Sequence, residues 1–126
     1  MFSRYASRQS YPDVSEYLTS HSSEPWLLPS IVLFEYLQWY LAHDTIQTQR
    51  RNAEQVVDAV VAVDAAVAEQ AANIRARLAS AGPSLDTPDL LIATVARERG
   101  CTLATRNEND FDKSPIHELL TVDIVD

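Results

Sequence analysis

A chain of 126 residues with 46% hydrophobic content suits one domain with one real core. Eighteen acids against ten bases give a net charge of −8, which argues against a broad basic surface for nucleic acid. No apolar run is long enough to span a bilayer, Met-Phe-Ser-Arg is not a signal peptide, and the single cysteine, Cys101, excludes an internal disulfide and a cysteine-based zinc site.

A cytoplasmic protein is therefore expected. The acidic balance leaves room for a nuclease, because a metal can bridge an acidic site to phosphate. Of the ten bases only Lys113 is a lysine, a composition that also suits work in high salt. Gly82 and Gly100, the only two glycines, both stand where helices should close. Without a glycine-rich loop, phosphate-cradling and dinucleotide fingerprints are absent.

In chain order, the first ten residues carry little pattern. Asp13 to Ser20 reads as a short helix with Val14, Tyr17 and Leu18 on one face. Trp26 to Leu28 is a brief apolar run between prolines, a predicted buried strand that Pro29 should end, and Ser30 is placed to cap the next helix. That helix, Ile31 to Leu41, is apolar nearly all round and should be buried on most sides. Glu35 stands in its middle, where a carboxylate is hard to hide. Either a cation compensates it or the side chain opens onto a wet cleft. Gln38 shares its face.

Thr45 to Ala59 is predicted helical, and Val60 to Val63 a strand that Asp64 follows as a helix cap. The following helix carries Val67, Ala71, Ile74 and Leu78 as an apolar stripe. Arg75 and Arg77 lie near its end, either as a solvated face or as a contact for RNA or a partner.

The stretch from Asp86 to Phe111 then reads as a capped helix, a stop, a short strand and a polar loop. Thr87 is the predicted cap, Pro88 suits the first helical position, and Gly100 supplies the left-handed stop. Cys101 to Thr105 reads as a strand covered on both faces, which makes Cys101 a packing residue. Asp89 falls in the first helical turn, where an acid is also the ordinary companion of the helix dipole. Asp110 falls just past the strand, at the carboxyl edge where ligands of α/β sheets collect. Leu119 to Val125 alternates as an edge strand.

Strands alternating with helices predict an α/β fold with a mostly parallel sheet, in a single domain spanning residues 1–126. Glu35, Asp89 and Asp110 come from three different elements. Carboxylates from separate elements are what a hard cation such as Mg²⁺ requires, since it takes a few oxygen ligands and keeps water.

These residues resemble the PIN-domain ribonucleases, specifically the VapC-type toxins of toxin–antitoxin pairs. Three pieces carry the resemblance: Leu28 to Glu35, Thr87 to Ala96, and Leu103 to Phe111. In order and spacing they are similar to the family's second, third and fourth acidic motifs. The resemblance implies a PIN-like three-layer sandwich, with helices flanking the sheet. It also implies Mg²⁺- or Mn²⁺-dependent endoribonuclease activity, with Glu35, Asp89 and Asp110 as catalytic metal ligands. Thr105 and Asn107 would order the adjacent loop and its waters, with Ser30 a further supporting polar residue. The expected partners are an RNA substrate, an inhibiting antitoxin and a second copy of the chain, with no membrane.

One departure stands out. The family opens on a central strand ending in an aspartate, whereas Met1 to Tyr5 resembles the segment just after it, and no acid precedes Asp13. The alternative to a nuclease is thus a catalytically inactive or truncated PIN-like module that binds or regulates. A different α/β hydrolase has little support, because His21, His43 and His117 lie in predicted loops or helix ends with no serine motif nearby.

Overall fold

In the computed structural model, which describes residues 23–105 and 108–124, contacts divide the chain into two compact units, Met1–Ala62 and Val63–Asp126. The expected helix over Asp13 to Ser20 and the expected loss of an opening strand lie outside the described residues.

In the first unit, strand β1 (Leu27–Pro29) pairs in parallel with β2 (Ala59–Val61), with Leu28 opposite Val60. Parallel strands need a crossover, here supplied by helices α1 (Ser30–Leu37) and α2 (His43–Val56). The pairing is extended by one residue: Asp58 N–H donates to the Trp26 carbonyl at 2.8 Å, and Trp26 N–H donates back to the Asp58 carboxylate. Pro29 ends the strand, where its missing N–H removes nothing from the interior of the pairing.

Ser30 does not cap α1, as its position suggested. The helix already begins there, Pro29 occupies the cap position with extended backbone, and no side chain caps the helix. The helix also stops at Leu37, short of Leu41. Its expected burial on most sides is not found either. Phe34 is 59% exposed, Trp39 77% and Leu41 98%, and Tyr36 alone in the helix is buried. Tyr36 instead ties the two helices together. Its hydroxyl donates to Gln49 Oε1 on α2 at 2.8 Å, and the Tyr40 ring meets it edge-on at 5.8 Å. Burial, with the Tyr40 hydroxyl beside it, pushes the Tyr36 pKa up to about 12.

The second unit opens on α3 (Ala65–Ala81), whose cap is Asp64 as expected: its Oδ1 accepts from Val67 N–H at 3.0 Å. The whole predicted stripe of Val67, Ala71, Ile74 and Leu78 is buried. Val67, Ile74 and Leu78 each contribute roughly 1.5–3 kcal/mol relative to exposure. A charge at Ile74 would break the helix from its core. Gly82 then closes the helix at φ 105°, a left-handed conformation that a side chain would strain.

Helix α4 (Thr87–Glu98) packs along α3 and ends at Gly100, φ 61°. The chain returns as β3 (Leu103–Thr105), which pairs in parallel with β4 (Val122–Ile124) through the register Ala104 to Asp123. Two single helical turns lie between these strands, α5 (Glu108–Phe111) and α6 (Ser114–His117). The first of them falls where a polar loop is expected. Their anchors are Phe111 and Ile116, which sink into one cluster with Ala71, Ile74, Leu78, Leu90, Ala93 and Leu103. Cys101 falls before β3, not in it. Its thiol is half-buried against the Arg99 carbonyl at 3.5 Å. Thr94 is fully buried and satisfied, donating to the Leu90 carbonyl at 2.7 Å. Among the described residues, no helix is long and apolar enough to cross a membrane.

Candidate active site

The geometry that positions Asp89 begins one residue earlier than expected. Asp86, not Thr87, caps α4, and its Oδ1 accepts from the Asp89 N–H at 3.1 Å. Both residues can cap, but helical backbone already begins at Thr87, and only the residue before it has the extended conformation a cap needs. Asp89 is then the third helical residue. Its backbone is tied down by the cap, and its half-buried carboxylate stands in the first turn, where the helix dipole favours an anion. The spacing Asp86-Thr87-Pro88-Asp89 carried the signal: a capping acid, then proline, then an acid three residues on.

Thr87, freed from capping, takes a different contact. Its Oγ1 accepts from Nη2 of Arg75 on α3 at 3.4 Å.

Asp110 lies on α5, just after β3, and is half-buried. Leu90 and Phe111, the residues following the two acids, belong to the same buried cluster, so the backbone beside both acids is anchored to one core. Asp89 and Asp110 each also have a further interaction partner. Thr105 ends β3, half-buried, and Asn107 lies outside the described residues.

Glu35 belongs to the first unit, in the middle of α1, and is half-buried. Of the two expected arrangements, the ion pair with arginine is not found among the described residues. The neighbouring Gln38 amide reaches the Glu35 backbone carbonyl at 3.3 Å, leaving the carboxylate untouched. Among the described residues, no three His, Cys, Asp or Glu side chains stand as a group able to hold a metal ion. The donors themselves are all carboxylate oxygens, which suit a hard divalent cation and not a soft one.

Parallel strand pairs joined through helices, with acids at the start of one helix and just past a strand, define an α/β fold. The model of the PIN domain family matches residues 2–115, and the chain belongs to that family. PIN domains are generally nucleases and typically work with divalent metal ions.

Solved structures give the same fold. A chain of the DNA-bound VapBC complex from Salmonella typhimurium superposes with a TM-score of 0.72 at 23% identity, over 90% of this chain and 85% of that one. VapBC2 from Rickettsia felis, bound to a promoter DNA fragment, gives 0.75 at 19% identity, over 99% and 94%. FitAcB from Neisseria gonorrhoeae gives 0.73 at 23% identity, over 95% and 89%. No curated protein matches the chain in sequence.

Proposed function

We propose that this chain is a metal-dependent endoribonuclease, the toxin of a toxin–antitoxin pair. Membership of the PIN family supports the nuclease class. The observation that carries the site is the fixing of Asp89 and Asp110 to one core, the first through a capped helical turn and the second through a helical turn after β3. With Glu35 they would supply oxygen ligands to Mg²⁺ or Mn²⁺. Such an ion supplies a lowered pKa to a bound water and charge neutralisation at the phosphate. The chain's own contribution is to hold the backbone that carries these carboxylates in place. Asp86 fixes the turn that bears Asp89, and Thr105 and Ser30 would serve as polar supports.

The direct test is cleavage of RNA by the full chain with Mg²⁺ or Mn²⁺. Cleavage is expected to stop in EDTA and to fall by at least about a hundredfold in Asp89→Asn, the scale of losing one electrostatic stabiliser. Cleavage that persists in EDTA overturns the metal mechanism.

The proposed partner is an antitoxin, as the VapBC and FitAB neighbours are toxin–antitoxin assemblies. The first unit offers an apolar seat for one. An open groove of about 580 Å³ lies between α1 and α2, lined by Leu33, Phe34, Leu37, Tyr40 and Ile46. Exposed Trp39 and Leu41 follow α1 directly. A working homodimer completes the proposal.

A further inference from the structure

Among the described residues, Arg75 is a cation held at the start of the helix that bears Asp89, a position the helix dipole alone disfavours. The amino end of a helix carries a partial positive charge, so a guanidinium there is unfavourable by itself. Yet Nη2 donates to Thr87 Oγ1 at 3.4 Å, which keeps the charge at the first residue of α4, two residues from Asp89. Among the described residues Arg75 forms no ion pair, unlike Arg50, which is paired with Glu54 on α2 at 2.7 Å. Capping Asp86 is already committed to the Asp89 N–H. The side chain is exposed, with most of its five donors open to a ligand.

We infer that Arg75 contacts a phosphate of the RNA substrate next to the one that is cleaved, and so fixes the strand's register across Asp89. This rests on the ribonuclease reading. A chain of net charge −8 repels a polyanion over most of its surface. Productive binding therefore needs local cations beside the acids, and Arg75 is placed there by a contact to a neutral hydroxyl. A guanidinium also suits phosphate because its planar fork can donate two parallel bonds.

The experiment uses the full chain. Binding of a fluorescein-labelled single-stranded RNA is measured by anisotropy in an Asp89→Asn background with Mg²⁺, over a series of KCl concentrations. Steady-state cleavage is measured in the otherwise unmodified chain. Arg75→Gln is expected to weaken binding about five- to tenfold. It should also flatten the salt slope by about 0.7, the value for one phosphate contact on a single strand. In cleavage the loss should fall on KM, with kcat held within about twofold. Arg75→Lys should restore the salt slope but only part of the affinity, because the charge remains and the fork does not. Thr87→Val, which keeps the charge and frees its position, should raise KM less than Arg75→Gln.

An Arg75→Gln chain with unchanged affinity and salt slope overturns the inference and leaves the ribonuclease reading standing. The same holds if the variant loses thermal stability alone, which would make Arg75 a support for the acids of α4. A parent chain that neither binds nor cleaves RNA overturns both.

Discussion

Removing the cap of α4 tests how the fold presents its acid. Asp86→Ala deletes the acceptor that holds the Asp89 N–H at 3.1 Å. Loss of an acidic N-cap costs about 0.5–2 kcal/mol, centred near 1. Loss of an anion at the positive end of the helix adds about 0.3–1 kcal/mol, reduced here because the site is exposed. Relief of repulsion between the carboxylates of Asp86 and Asp89 offsets a few tenths. The sum is a destabilisation of about 1 kcal/mol, or roughly 3–6 °C in Tm for a chain of this size. Asp86→Asn keeps the acceptor and should lie within about 0.5 kcal/mol of the parent. Urea and thermal unfolding, followed by circular dichroism, read both variants. If metal binds as proposed, Mn²⁺ affinity should fall in Asp86→Ala more than in Asp86→Asn, because a frayed first turn no longer fixes the Asp89 carboxylate. Equal unfolding midpoints for the alanine and asparagine variants would refute the capping argument.

Three further outcomes follow from single residues. Ile116 is 0% exposed in the second unit's core, so Ile116→Ala should lose about 2–5 kcal/mol in denaturant unfolding. The exposed pair of His117 and Asp112, 2.8 Å apart, should contribute under about 1 kcal/mol, so His117→Ala should leave the midpoint nearly unmoved. Tyr36 has its pKa raised in the folded state, so the folded chain binds its proton more tightly than the unfolded chain does. Its stabilising effect is complete below the unfolded value near 10 and is lost as pH rises toward 12. Alkaline unfolding should be shallower across that window in Tyr36→Phe than in the parent.

The parts of this fold that were legible in the sequence are those with a local physical cause. The stripe Val67, Ala71, Ile74 and Leu78 follows from helical spacing, and the stops at Gly82 and Gly100 follow from the freedom of glycine at positive φ. The Asp64 cap and the acid in the first turn of α4 are likewise local. What failed depends on distant packing or on very short elements. The four-residue turns at Glu108–Phe111 and Ser114–His117 are too short to show a period, and only the core that receives Phe111 and Ile116 makes them helical. The segment after Pro29 was read as buried because it is apolar, but composition cannot say what covers a surface, and Phe34 and Trp39 stand exposed. For the site, Glu35 and Asp89 are legible on their helices from pattern alone, whereas Asp110, expected in a loop, stands on α5. Which other side chains attend these acids was not legible, and the Arg75 contact with Thr87 spans twelve residues with no periodic signature.

That exposed apolar surface supports the last prediction. Phe34 and Trp39 bury little within the folded chain, so replacing them removes little that holds the first unit together. Phe34→Ser and Trp39→Ser should each shift stability by no more than about 0.5 kcal/mol, the usual range for surface sites. Their effect on the proposed antitoxin complex should be opposite in scale. Aromatic anchors that fill a groove commonly account for about 2 kcal/mol or more each, about thirtyfold in Kd. Co-expression with the protein of an adjacent small reading frame, followed by size exclusion and titration calorimetry, separates the two effects. A normal unfolding midpoint with a weakened complex supports the seat between α1 and α2. An unaltered complex in the double variant places the antitoxin elsewhere. A lowered midpoint in either variant would mean that the ring is covered by the chain's own residues in solution, and the groove would lose its claim as a docking surface.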